Sequence, residues 1–315
     1  MYHRIAEVPI DPWRLSVIPE RFDQQLAYLC DELEPVPLAE ICQPSLSGNP
    51  KVAITFDDGY RDNFEYAFPL LEKHGIPATF FVVSSTVGQN REFWWDELEH
   101  IVLSTHPLPQ SISLEGPCGT FHRQLGSASR YSEEQQREDR EIEVFQAATG
   151  TRLHLFRELW DYLCVLSHAE RQQKLDDLWA WSGRARVDRN SYRPMTQPEI
   201  KTLAESPLIE IGAHTMTHPR LPSLSGHRKK EEILEGVKQL TALMGKEPTS
   251  FSFPFGQWDP ESLDIVENSF DCAVVTRPAT VISSTPRHRL NRFAVENWDR
   301  EEFHSRIRAW CDESN

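Results

Sequence analysis

The sequence predicts an α/β fold built on parallel strands. Three observations carry that expectation. Short apolar, β-branched runs alternate with helix-periodic stretches through the first half and the last third of the chain. The 315 residues fit one large domain of that kind. Polar residues able to do chemistry fall just after the strand-like runs, where parallel sheets and β/α barrels bind ligands. The alternation suits an open sheet and a barrel equally.

The elements follow in order. Phe22, Leu26, Leu29 and Leu33 share one helical face after Pro19, so residues 20–34 read as an amphipathic helix. Val52-Ala53-Ile54-Thr55-Phe56 reads as a strand, ended by the tight turn Asp57-Asp58-Gly59. Residues 63–74 read as a helix, Gly75-Ile76-Pro77 as a break, and 78–83 as a second buried strand. Residues 209–213 form another strand, followed by a loop that holds His214 and His218. Ile233, Val237, Leu240 and Met244 place a helix over 229–244, which Gly245 stops. A strand at 250–254, a helix near 260–268, a strand at 272–276, another near 289–295 and a helix at 300–311 complete the series.

The interval 104–192 departs from this pattern. It holds a hairpin around Ile112–Phe121 and then helical, heavily charged sequence. Ser132-Glu133-Glu134 opens one helix as an N-cap with acidic first-turn residues. Leu159, Tyr162, Leu163 and Leu166 mark a second helix, and Leu175, Leu178, Trp179 and Trp181 a third. The expectation is one domain over 1–315 with a helical insertion at about 104–192. Glu133–Glu143 reads as a solvated helix face.

Composition narrows the function classes. With 33 basic against 48 acidic residues the formal charge is −15, and no basic stripe interleaved with aromatics is present, which argues against a nucleic-acid partner. Hydrophobic residues are 39% of the chain, enough for a sizeable core. No apolar run approaches the roughly 18–20 residues of a membrane span. Met1-Tyr2-His3-Arg4 lacks the basic and apolar start of a secretion signal, and the six cysteines are scattered with no C-x-x-C pair. A cytoplasmic location is expected, with room for a signal or anchor upstream of residue 1. The sequence is silent on oligomeric state.

Strand ends gather Asp57, Asp58, His214, His218 and, at the chain start, His3 on one rim. Two imidazoles and a carboxylate bind Zn²⁺ or a similar divalent ion and leave positions open for water and substrate. A second carboxylate beside the first can act as general base. Asp57 and Asp58 need not share one fate, because the chain turns there. Pro219 disfavours helical geometry at His218, so the two histidines meet through a loop or single turn.

These residues resemble the polysaccharide deacetylases, carbohydrate esterase family 4. Thr55-Phe56-Asp57-Asp58-Gly59 and His214-Thr215-Met216-Thr217-His218-Pro219 are similar to its first two signature motifs, and Ser252-Phe253-Pro254-Phe255-Gly256 to its third. Gly59-Tyr60-Arg61-Asp62-Asn63 and Pro77-Ala78-Thr79-Phe80-Phe81 supply matching context. The resemblance spans roughly 50–103 and 193–298, plus Tyr2-His3-Arg4. It implies a distorted, incomplete (β/α) barrel with fewer than eight complete units.

By that resemblance Asp57 is the general base, and Asp58, His214 and His218 hold one divalent metal. Zn²⁺ is the default, although Co²⁺, Ni²⁺ or Mn²⁺ suits the same ligands. The implied reaction removes an N-acetyl group from an amino sugar, with water activated by the metal and deprotonated by Asp57. Tyr60, Pro254, Phe255 and Trp258 are candidates for the sugar subsite or its support. The third motif usually opens with an Arg that pairs with the base; here that position is Ser252, and Arg292 is the candidate replacement. The family's late Leu-x-His motif has no match, since only His288 precedes Leu290-Asn291-Arg292, and His3 is the candidate general acid, with substrate contact as its other role. The expected substrate is an N-acetylated nucleotide sugar, lipid-linked sugar or surface-polysaccharide precursor. Two alternatives stand: an N-formyl sugar or other non-peptide amide, and a non-catalytic carbohydrate-binding protein on the same scaffold.

Overall fold

A computed structural model describes residues 1–41, 50–117 and 119–312; Cys42 and Cys118 lie outside the described residues. The chain divides into two compact units. One comprises Met1–Glu7, Leu15–Gln89 and Arg193–Asn315; the other comprises Val8–Arg14 and Asn90–Tyr192. The second unit thus begins at Asn90, upstream of residue 104, and takes in a short early segment as well.

The first unit is built on five parallel strands: β1 (Ile54–Phe56), β2 (Ala78–Val82), β3 (Ile209–Ala213), β4 (Ser250–Ser252) and β5 (Cys272–Val274). Their spatial order is β5-β4-β3-β2-β1. Helices Phe68–His74, Gln197–Glu205, Gly226–Met244 and Pro260–Glu267 lie between successive strands in the chain. Tyr2 bridges Phe56 outside β1, and Leu290 bridges Val274 outside β5. The Val295 amide donates to the Met1 carbonyl at 3.0 Å, which joins the segments that carry these two flanking residues. The sheet therefore curls back on itself as an incomplete (β/α) barrel.

Its interior is aromatic and branched, with Phe22, Phe56, Phe80, Phe251, Ile5 and Leu26 all fully buried. The strands are buried on both faces apart from the half-buried Glu210 in β3, as parallel strands covered by helices are.

Four expectations need correction. Residues 52–56 are not one strand: Lys51–Val52 pairs with Glu34–Pro35, and only Ile54–Phe56 joins the main sheet. The helix at 63–74 opens as a π-helix over Asn63–Ala67, in which Phe68 donates to the Asn63 carbonyl. Pro69 lacks the N–H that a regular α-turn needs there, and the wider turn absorbs the loss. The strand near 289–295 reduces to the bridge at Leu290, because the next backbone bond, from Arg292 N–H, skips to the Arg277 carbonyl and breaks the strand register. Two helices, Trp94–Val102 and Gln197–Glu205, were not anticipated. Gly245 does end its helix, in the left-handed conformation (φ 73°) that the stop signal requires.

The second unit pairs Ser111–Gly116 with Gly119–Gln124 as an antiparallel hairpin and adds helices Glu133–Asp139, Arg152–Cys164 and His168–Trp181. Ser132 and Ser167 each cap their helix in a reciprocal capping box. Its charges are not all solvated. Arg152 is buried and donates to the carbonyls of Val102, Ala128 and Ser129, and Tyr131 donates to the buried Asp139 carboxyl at 2.6 Å. Among the described residues no helix is long and apolar enough to cross a membrane.

Candidate active site

The site assembles where β1, β3 and β4 end. Beyond β1 the chain turns through Asp58 (φ 73°) and Gly59 (φ 89°), so the two neighbouring aspartates diverge. Asp57 meets Arg292. The Arg292 guanidinium donates to both Asp57 oxygens at 2.7 Å, and to Thr55 Oγ1 at 3.1 Å and Ser252 Oγ at 3.0 Å. Ser252 Oγ itself donates to Asp57 Oδ2 at 3.2 Å. All four residues are buried, which makes this a bidentate, charge-assisted pair away from water. Burial pushes the Asp57 carboxyl up, but the guanidinium overrides it and holds the group well below the usual carboxylate range.

Asp58 turns toward the histidines. Its Oδ1 lies 3.6 Å from His214 Nε2 and 3.5 Å from His218 Nε2. One donor atom from each of the three lies within 4.8 Å of the others, and all three side chains are buried. Ligands about 2.0–2.1 Å from a tetrahedral ion stand roughly 3.3 Å apart, so this triad needs little adjustment to close on one. His214 Nδ1 is engaged by the Ser252 carbonyl at 2.7 Å, which fixes the ring and leaves Nε2 for the triad. Burial raises the Asp58 carboxyl, and the facing histidines more than reverse it; burial lowers His214, and Asp58 with Asp57 more than reverse that. The donor set suits a divalent cation by its geometry: one carboxylate and two imidazoles whose donor atoms converge on one point. The histidines meet through a loop with left-handed residues at Thr215 (φ 62°) and His218 (φ 54°), not through a helix.

A family model for the polysaccharide deacetylases matches residues 47–158 and 176–269, well over half of the chain. The chain belongs to the polysaccharide deacetylase family. That is a family of hydrolases acting on carbon–nitrogen bonds. YxkH of Bacillus subtilis (strain 168), which carries the same family name, is 38% identical over 50 residues, 16% of this chain and 18% of YxkH. Among solved structures, BA0330 of Bacillus anthracis superposes with a TM-score of 0.58 at 17% identity, over 97% of this chain and 66% of that one. The deacetylase PplD of Streptococcus pyogenes gives 0.57 at 17%, over 97% and 95%. IcaB of Ammonifex degensii gives 0.55 at 18%, over 98% and 94%. These likenesses show a shared fold. The chain spans under a fifth of YxkH and just under two thirds of BA0330.

The remaining candidate residues divide by position. His3 is half-buried beside β1; burial lowers its imidazole, while the charges of Asp58 and Asp57 act on it in the opposite sense. Pro254 is buried, and the Phe255 ring lies edge-on to His218 with centroids 4.6 Å apart. Phe255 itself is held at φ 57°. Trp258 packs against the barrel core with the Arg289 guanidinium 4.6 Å from its ring centre. Tyr60 is fully buried beneath Arg4, so it supports the rim from behind and offers no surface to a sugar. His288 bonds the Phe270 carbonyl, away from the triad.

Two contributors escaped the sequence reading. Thr55 shares the Arg292 guanidinium, and the period of a strand could have shown it, since Thr55 and Asp57 sit two residues apart on one face. Glu232, on the helix after the histidine loop, bonds that loop; nothing in its local sequence marks it.

Proposed function

We propose that this protein is a metal-dependent N-deacetylase of an N-acetylated amino sugar within a surface polysaccharide or its nucleotide- or lipid-linked precursor. One observation carries the reading: a buried aspartate, clamped by a guanidinium, adjoins a separate Asp-His-His set that fits a divalent ion. Asp58, His214 and His218 would hold the ion, with Zn²⁺ as the default metal for this donor set. Such an ion polarises an amide carbonyl and makes water acidic enough to be deprotonated near neutral pH.

The chain's own residues do the rest. Asp57, kept ionised by Arg292, accepts the proton of the attacking water at a carboxylate oxygen. Arg292 and Ser252 hold that carboxylate in one orientation. Phe255 borders the site at His218, where an acetyl group or pyranose ring would pack. His3, close enough to feel both aspartates, is the candidate to give a proton to the departing amine.

The non-catalytic alternative rests on two departures, Ser252 where the third motif usually has Arg and the absence of a late Leu-x-His match. The Arg292–Asp57 pair supports the enzymatic reading against it, since pure binding needs no tethered base.

The test pairs metal analysis with acetate release from N-acetylglucosamine oligomers. Wild type should carry about one ion per chain, His214→Ala and Asp58→Ala should lose it, and Asp57→Asn should keep it while losing at least about a hundredfold in rate. Formate or ammonia released in place of acetate would move the substrate to another amide. An Asp57→Asn protein with full turnover would end the base assignment.

A further inference from the structure

The loop that joins β3 to the helix Gly226–Met244 carries both histidines, and its geometry is unfavourable in isolation. Thr215 and His218 both adopt positive φ, a region that β-branched and bulky side chains rarely enter. Something outside the loop must hold it there. Its carbonyls are taken on one side: Ser84 N–H donates to Thr215 O at 3.2 Å and Ser85 N–H to Met216 O at 3.1 Å.

Its donors at Met216 and Thr217 are taken by a single residue on the other side. Met216 N–H donates to the backbone carbonyl of Glu232 at 2.9 Å. Thr217 N–H donates to Glu232 Oε2 at 2.8 Å, and Thr217 Oγ1 donates to Glu232 Oε1 at 2.7 Å. Glu232 is 3% exposed, so these bonds form away from competing water. One turn along the helix, Gly236 lets the backbone come close: a Cβ there would stand 3.0 Å from the Thr215 carbonyl carbon. Three residues further, Gln239 Oε1 accepts from Ser84 Oγ at 2.7 Å. Positions 232, 236 and 239 form one stripe of the helix, and that stripe faces the histidine loop and its other support.

We propose that Glu232 is a positioning residue for the metal ligands: it locks the 214–218 loop in the conformation that presents His214 and His218 together. It thereby sets how tightly the triad holds a divalent cation. A carboxylate suits the position best. It accepts from the Thr217 N–H and O–H at once through charge-assisted bonds, whereas an amide keeps the pair only through neutral bonds and with the hydroxyl turned to accept. The inference rests on the reading of Asp58, His214 and His218 as a metal site.

The experiment uses the full chain, stripped of metal and titrated with Co²⁺ against a competing chelator, with the visible spectrum recorded at each step. Glu232→Ala should bind Co²⁺ about 10–100-fold more weakly than wild type and show a shifted d–d band, as losses of outer hydrogen bonds to a metal site do, and Glu232→Gln, which keeps both contacts without the charge, should show a smaller loss. Thr217→Val, which removes the hydroxyl bond alone, should fall between wild type and Glu232→Ala. Glu235→Gln, on the exposed side of the same helix, should match wild type. If Glu232→Ala does not fold, the Gln and Thr217→Val proteins decide. Wild-type affinity and spectrum in a folded Glu232→Ala, or in both Glu232→Gln and Thr217→Val where the Ala protein does not fold, would overturn the proposal while leaving the metal site standing. No Co²⁺ binding by wild type would overturn the metal reading, and this inference with it.

Discussion

Arg292 and Ser252 show how one local requirement is met from a different place in the chain. A buried carboxylate left without a partner takes up a proton and is lost as a base. The third-motif position that usually supplies its guanidinium holds Ser252, and Arg292 arrives from the segment beyond β5 to make both bonds to Asp57. Ser252 then contributes twice, its hydroxyl to the Asp57–Arg292 pair and its carbonyl to His214. Removing one partner of a buried, hydrogen-bonded ion pair costs several kcal/mol, about 3–5. Arg292→Ala should therefore lower both the melting temperature and turnover, the latter at least about tenfold, with bound metal unchanged because the triad is untouched. Guanidinium at millimolar concentration should restore part of the rate, since the cavity has the shape and charge of the missing group. Arg292→Lys should recover less than guanidinium does, because a point charge cannot make the planar two-bond contact. An Arg292→Ala enzyme with wild-type turnover would remove Asp57's need for a tether.

At the scale of elements, the sequence was most legible where periodicity and turn residues agreed. The strands that became β2 and β3, the helix ended by Gly245 and the hairpin of the second unit all carry both signals. The histidine pair and the Asp57-Asp58-Gly59 turn were readable for the same reason, since each follows a buried strand. What escaped depends on contacts remote in sequence. Leu290 pairs by a single bridge because the next backbone bond skips to the Arg277 carbonyl, and Arg292 reaches Asp57 across 235 positions of chain. The helix Gln197–Glu205 was missed despite a local signal: Thr196 and Glu199 are spaced as a capping box, with Pro198 in the first turn. Glu199 is also gripped by Arg193, with bonds of 2.7 and 2.8 Å. Burial raises this carboxyl, but Arg193 and Thr196 prevail and bring it down to about 2. A lowered native pKa stabilises the fold at pH values above the unfolded pKa of about 4.3, and the benefit fades as pH falls toward 2. Thr196→Ala should cost about 1 kcal/mol in urea unfolding. The stability gap between wild type and Glu199→Gln should be full at pH 7 and narrow steadily below about pH 4.3, where the unfolded carboxyl takes up its proton. A gap independent of pH would mean that the ion pair contributes nothing.

For the whole molecule, the barrel and its site depend on each other. The five-stranded sheet closes only through flanking residues, Tyr2 on one edge and Leu290 on the other, and the Arg292–Asp57 pair spans the same seam. The pair that holds the Asp57 carboxylate therefore also ties the two edges together. The triad has the reverse relation to stability. Its buried donor atoms converge on one point, and a chain carrying −15 formal charge gains from binding a cation there. An ion that binds the folded chain and not the unfolded one adds about 2.7 kcal/mol when present at a hundred times its dissociation constant. With about 2–4 °C of melting temperature per kcal/mol for large domains, saturating Zn²⁺ should raise the transition of the chelator-treated protein by roughly 5–10 °C. Asp58→Asn removes the one carboxylate of the set and should flatten that response, whereas Asp57→Asn should keep it, because Asp57 faces Arg292 and not the triad. Scanning calorimetry of the three proteins with and without the ion distinguishes these outcomes. An equal shift in Asp58→Asn would locate the stabilising ion somewhere other than the Asp58, His214 and His218 set.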